Sequence, residues 1–318
     1  MRPVLPLLLP VAVLVALAAA PLVGFGDSFA LTLLARGMLS ATAAVGLSLL
    51  VGGAGLVSLG QAAMVGCGAY VVAALDHAGI TGAATVLPAA VAAGALLALV
   101  TGAVALRTGG AYFIMITLAF GQMAFFTAAS LSALGGDDGY TLSARTEWFG
   151  TAVLGNRLVF HFVCLGSLLA VWLLCSTVVD SRFGRVLRAA RENPARVQAL
   201  GFSPYPYRLL AYVLAGGIGG LAGALMANAS EFVSPAALSW GRSGELLAMV
   251  ILGGAGRLYG AILGALAIVL LEEYLAHWLE YWRLVFGPLL VLSVLFARQG
   301  LAGLLDGTGA AVSRRRRA

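Results

Sequence analysis

Along the chain, apolar residues come in runs of helical length separated by short clusters of Gly, Pro or charged residues. Ten such runs lie near 4–23, 30–50, 60–75, 84–106, 111–130, 158–179, 207–229, 244–254, 259–278 and 284–298. A bilayer core takes about 20 apolar residues per helix, so the longer runs predict membrane crossings and the shorter ones broken or re-entrant segments. The runs do not alternate polar and apolar residues as strands of a transmembrane barrel would. The predicted fold is all-α, a polytopic transmembrane helical bundle of about eight to ten spans, with residues 1–318 forming one domain.

The first run sits in MRPVLPLLLPVAVLVALAAAPLVG, which mimics a secretory signal by its basic residue, apolar stretch and AAA. Pro21 directly after the candidate cleavage site argues against removal, so the segment is kept as a first span.

Composition strengthens this picture. Of 318 residues, 61% are hydrophobic and only 10% charged, and mean hydropathy is +0.99. A water-soluble fold needs more surface charge than that. The 42 glycines, set among Ala and Ser, let neighbouring helices approach closely in lipid and tolerate local breaks. GGAG occurs twice, at 52–55 followed by Gly60 and at 253–256 followed by Gly260. That echo reads either as a weak internal repeat or as recurrent Gly-rich breaks.

The net charge of +6 comes from 19 arginines, with no lysine, against 13 acids. The arginines cluster in short loops and at the C-terminal end, a topological pattern rather than the continuous basic face of a nucleic-acid binder. Arg182, Arg185, Arg188, Arg191, Arg196 and Arg208 mark residues 181–204 and their flank as cytoplasmic. Counting spans outward places Arg2, Arg107 and the tail at 299–318, with Arg314 to Arg317, on the same side, so both termini are expected inside. Residues 135–151 and 230–245 then face outward, with Arg145, Arg157, Arg242 and Arg283 as exceptions to the rule. Cys67, Cys164 and Cys175 lie in apolar stretches without CxxC or nearby His, which favours inert thiols over a metal site.

Residues 181–204, SRFGRVLRAARENPARVQALGFSP, hold six charged residues. Phe183, Val186, Leu187 and Ala190 form one stripe at helical spacing with Arg182, Arg185, Arg188 and Arg191 off it, and Ser181 is a natural N-cap. The stripe predicts an amphipathic helix on the inner membrane surface, its arginines reaching lipid phosphates. Pro194 suits the first turn of a new helix, Asn193 its N-cap and Gly201 the position past its end, so 194–200 reads as a separate two-turn helix. A helix that short needs something to pack against. Charge alone would serve as a topology anchor, but an anchor does not require capping at both ends.

The segment SRFGRVLRAARENPARVQALG resembles the cytoplasmic loop of ABC importer permeases, specifically the LivM-like branch of the branched-chain amino acid permease family. Further stretches resemble that family in order: VGGAGLVSLGQAAMVGCGAY at 51–70, GAYFIMITLAFGQM at 110–123, GGDDG at 135–139 and VILGGAGRLYGAILGA at 250–265. Gln61 stands where the family pattern expects His, and Cys67 where it expects a small or aliphatic residue. The resemblance implies a permease subunit in a bacterial plasma membrane, paired with a second permease, two ATPase subunits inside and an extracytoplasmic substrate-binding protein. It implies branched-chain or related hydrophobic amino acids as substrate, and an ATPase-coupling loop at Arg188, Arg191, Glu192, Asn193, Pro194, Val197, Leu200 and Gly201. No catalytic residue, bound cofactor or metal is expected in this chain. The resemblance places ATP and Mg in the partner ATPase, and this sequence lacks the GxxxxGK[ST] phosphate loop with which it could cradle ATP itself.

Polar residues inside predicted spans, Ser58, Gln61, Thr117, Gln122 and Asn228, are candidates for the translocation pathway, or else make interhelical hydrogen bonds. Arg36, Glu272 and Glu273 lie near span ends, within reach of water. Asp137 and Asp138 lack the spaced ligand set of a calcium loop and read as a solvated loop facing a binding protein. An ion-coupled secondary transporter would place carboxylates at the membrane midplane, and no predicted span has one at its centre. A membrane enzyme would need a motif such as HExxH or GxSxG, and neither occurs. A urea or short-amide permease of the same family, or more remotely a ribose-type sugar permease, remains the alternative within the class.

Overall fold

The computed structural model describes residues 5–21, 28–147, 155–278, 287–288 and 300–303. Eleven α-helices run through them: α1 Leu5–Ala19, α2 Ser28–Ser48, α3 Gln61–His77, α4 Ala83–Ala105, α5 Ala111–Ser130, α6 Arg157–Asp180, α7 Arg182–Glu192, α8 Pro194–Ala199, α9 Pro204–Ser230, α10 Trp240–Gly253 and α11 Leu258–Trp278. Among the described residues, six segments are long and apolar enough to cross a membrane: Phe29–Ala54, Ala83–Ala105, Ala111–Ser130, Arg157–Asp180, Pro204–Ser230 and Leu258–Trp278. The chain is thus an all-α, multi-pass membrane bundle. Nine of the ten expected runs coincide with helices, while 284–298 falls almost wholly outside the described residues.

Two helices, α3 and α10, account for the short runs at 60–75 and 244–254. α2 continues into a π-helical turn, Leu49–Ala54, and then unwinds before α3 begins. α3 starts beside the middle of α9, where Gln61 Nε2 donates to the Ala215 carbonyl at 3.1 Å. α10 starts at the end of the bundle where α9 finishes and stops at Gly253, one short break before α11. The break before α3 lies mostly within protein, with Ser58 and Gly60 buried, whereas Ala255 and Gly256 of the break before α11 are exposed.

Packing along α9 follows from its glycines. Gly216 and Gly220 press against α4, and a Cβ on Gly220 would strike the Ala90 carbonyl. Gly219 and Gly223, three residues after each of those, press against α3, where a Cβ on Gly219 would come within 3.2 Å of Met64 Cβ. Two interleaved small-xxx-small stripes therefore let one helix contact two neighbours at backbone distance. The opposite surfaces are oily: Tyr112, Met115, Met123 and Phe126 of α5 are all exposed, as suits a lipid-facing perimeter.

The two GGAG segments meet. A Cβ on Gly52 would lie 2.6 Å from Gly256 Cα, so the break after α2 and the break after α10 pack backbone to backbone. Gly300 is buried against Gly254 at the same place; of the tail segment 299–318, residue 299 and residues 304–318, with Arg314 to Arg317, lie outside the described residues. At the opposite end, strands β1 Tyr140–Thr141 and β2 Phe232–Val233 pair antiparallel. Asp76 accepts from the Tyr140 hydroxyl at 3.1 Å and from Ser143 N at 2.8 Å, fixing the loop after α5 over the end of α3. Arg36 of α2 pairs with Glu272 of α11 at 3.1 Å and lies 4.0 Å from Glu273, so one cation offsets part of the charge of two carboxylates.

Candidate functional site

The 181–204 loop is built as its punctuation predicts. The Ser181 hydroxyl accepts from Gly184 N at 3.2 Å and starts α7; Asn193 Oδ1 accepts from Arg196 N at 3.0 Å and starts α8, with Pro194 in its first turn. α8 ends at Ala199 with Leu200 as its cap, one residue earlier than expected. Gly201 takes φ +85°, its N–H bonds to the Gln198 carbonyl at 2.9 Å, and Phe202 N bonds to the Val197 carbonyl at 3.1 Å. That bond pair satisfies carbonyls of the last turn and needs a left-handed residue at 201. Val197 is buried, whereas Glu192, Pro194 and Gln198 are exposed and Leu200 is 71% exposed.

The surface-lying reading of α7 is corrected by the packing. Leu187 and Ala190 are buried against the bundle, and α7 rests on α6, α9 and the π turn of α2. Arg188 donates to the Val179 carbonyl at 2.8 Å and Arg191 to the Gly52 carbonyl at 2.6 Å, so these two arginines cap helix ends instead of reaching lipid. Arg208 of α9 donates to the Ala190 carbonyl at 2.8 Å. Carbonyls of a final helical turn lack main-chain partners, and cations satisfy them well. Tyr207 of α9 stacks on Phe183 at 5.5 Å and meets Phe202 edge-on at 6.4 Å, holding the loop at both ends. The result is a rigid cradle presenting one small helix.

A second cluster lies in the bundle interior. The Ser58 and Tyr212 hydroxyls are 3.4 Å apart, Ser58 Oγ accepts from Gly60 N at 3.2 Å, and Thr117 Oγ1 accepts from Leu59 N at 3.3 Å. Beside them is a cavity of about 10 Å³, roughly room for one water molecule. Gly60, Met64, Thr101, Thr117, Gly121 and Tyr212 are among its walls. Ser243 of α10 accepts from Ala62 N at 3.0 Å, adding a further side chain to the N-terminus of α3. No amino acid fits in such a space.

Of the predicted pathway residues, Ser58 and Thr117 meet at this cluster, and Gln61 adjoins it with its Oε1 buried and unpartnered among the described residues. Gln122 follows the cavity-lining Gly121, and its buried Nε2 also has no partner among the described residues. Asn228 lies apart: its Oδ1 accepts from Thr146 N at 2.8 Å and its Nδ2 donates to the Ala224 carbonyl at 2.8 Å. Its amide therefore ties the loop after α5 to α9: the oxygen holds the loop and the nitrogen bonds back to its own helix. Sequence reasoning missed Tyr212 and Thr101. A hydroxyl-bearing ring inside the otherwise apolar AYVLAGG stretch was the available signal, since buried Tyr hydroxyls seek partners.

Comparison with known proteins decides the class. Residues 29–294 match the family described as branched-chain amino acid transport system / permease component. This chain belongs to that family. Both the cradled loop and the interior cluster fall inside the matched region. Among curated relatives of this permease-family chain, the high-affinity branched-chain amino acid transport system permease protein LivM of Escherichia coli K12 is 30% identical over 280 residues, covering 81% of this chain and 66% of the relative. Its Salmonella typhimurium counterpart is 28% identical with the same coverage. The probable branched-chain amino acid transport permease protein LivH of Methanocaldococcus jannaschii is 26% identical over 164 residues, 47% of this chain and 49% of that one. The chain thus spans 66% of the length of its LivM relatives. No solved structure matches it significantly.

Proposed function

We propose that this chain is a membrane-spanning permease subunit of an ABC importer for branched-chain or related hydrophobic amino acids, without enzymatic activity of its own. Two partner ATPase subunits hold and hydrolyse ATP with Mg on the cytoplasmic side of a bacterial plasma membrane. A second permease completes the pore, and an extracytoplasmic binding protein delivers the substrate. In this orientation the 181–204 loop and both termini face the cytoplasm, in accord with the arginine placement.

The observation that carries the reading is α8: a capped helix, Pro194–Ala199, anchored through Val197 and offering an exposed Leu200 at its end. A two-turn helix is marginal in water, so its rigid presentation suits insertion into a groove on another subunit. Closure of the ATPases on ATP moves the loop as a rigid body, and the bundle follows. Substrate then passes between α3, α4, α5 and α9, where Ser58, Thr101, Thr117 and Tyr212 offer hydroxyls in an otherwise apolar wall.

The test is uptake of radiolabelled leucine into proteoliposomes carrying the permeases, with and without the ATPase subunits and the binding protein. The reading expects uptake only with ATP and both partner types present, and near-complete loss when Val197→Pro breaks α8. Uptake that persists without ATPase subunits contradicts it and favours an ion-coupled carrier.

A further inference from the structure

We infer that Arg191 is a positioning residue linking the loop to the closed interior: its bond to Gly52 holds the π turn of α2 in the form that keeps Ser58 against Tyr212. The inference deepens the proposed transport function and rests on it. α2 ends in the π turn Leu49–Ala54, a geometry found mostly as a local insertion at functional places. Gly55 follows at φ +69°, and Leu56 N reaches back to the Leu50 carbonyl at 3.1 Å. The Gly52 carbonyl, in the final turn, is taken by Arg191 from across the loop at 2.6 Å. This is a charge-assisted bond, among the stronger kind.

Three neighbours make the arrangement specific. A Cβ on Gly55 would stand 2.7 Å from Arg191 Cγ, so only glycine leaves room for the arginine stem. Leu187, four residues before Arg191 on α7, is buried beside Gly53. Gly52 also packs on Gly256, so the turn is held between α7 and the α10–α11 break. Six residues after Gly52 comes Ser58, and the stretch between is not helical past Ala54. α8 is joined to α7 through Asn193 alone. A displacement of α8 therefore reaches Ser58 through Arg191, Gly52 and one short piece of chain.

The experiment uses the complete reconstituted transporter and measures leucine taken up per ATP hydrolysed, alongside subunit assembly and melting of the complex. In Arg191→Ala, uptake per ATP hydrolysed should fall about tenfold, the effect of losing one hydrogen bond to a charged donor, a larger fall than assembly or hydrolysis shows. Arg191→Lys, which keeps a donor, should recover part of the ratio, and Gly55→Ala should lower it as Arg191→Ala does. An unchanged ratio in Arg191→Ala, with or without a lower melting temperature, overturns the inference. So does a parallel fall in assembly, hydrolysis and uptake, which would make Arg191 a docking charge. Uptake by the parent that needs no ATPase defeats the transport reading itself, whereas an ATP-dependent parent with an unaltered variant ratio defeats only the role given to Arg191.

Discussion

Ser58 and Tyr212 stand 154 positions apart in the chain, yet their hydroxyls meet at 3.4 Å in the centre of the bundle. The contact joins the unwound stretch before α3 to α9, and the edge-on packing of Tyr212 against Phe113 at 6.0 Å brings in α5. Parting these groups widens a cavity that is now about 10 Å³.

Tyr212→Phe keeps the ring and its packing but removes the hydroxyl. Stability should change by about 1 kcal/mol or less, the net worth of one hydrogen bond. Leucine uptake at equal protein level should fall several-fold if the hydroxyl belongs to the path, and uptake assays on the purified variant check this. An unaltered rate would reduce Tyr212 to a packing residue.

Close helix contact makes a second prediction. Gly68→Val forces a branched side chain into the Gly220 backbone, since even a Cβ there collides with it. Overpacking of this kind costs about 3 kcal/mol or more, because backbone rather than a flexible side chain must yield. The variant should be poorly produced and melt early in detergent. Gly166→Ala, inside α6 with open space around the glycine, should be tolerated or stabilising by up to about 1 kcal/mol.

Asn228 is predicted to hold structure, not to select substrate. Asn228→Ala strips the Thr146 amide of its buried acceptor, at a cost of about 1–3 kcal/mol. Hydrogen exchange at Thr146 and its neighbours should quicken, while the preference among amino-acid substrates stays that of the parent. A changed preference with unchanged exchange would return Asn228 to the pathway.

Much of this was legible before any coordinates. Apolar run lengths located nine helices, and the Asn193-Pro194 and Leu200-Gly201 pairs marked both ends of α8, because these signals are local. What covers an apolar stripe is not local. Phe183, Val186, Leu187 and Ala190 announced a buried face on α7, but nothing in their spacing distinguishes bilayer from bundle, and the carbonyls of Val179 and Gly52 that hold Arg188 and Arg191 are invisible in sequence. The repeated GGAG showed where the chain breaks without showing that Gly52 and Gly256 touch. Ser58 and Thr117 could be named one by one, but their meeting with Tyr212 depends on the interleaved glycines of α9 that bring α3 and α4 so near.

The most direct measurement is site-specific cross-linking from α8 in the assembled transporter, with cysteine placed at Gln198, which is exposed. The account predicts a cross-link to the ATPase subunit whose yield changes between nucleotide-free and ATP-bound states. A cysteine that stays free in solvent in both states, or that is labelled from outside the membrane, would contradict it.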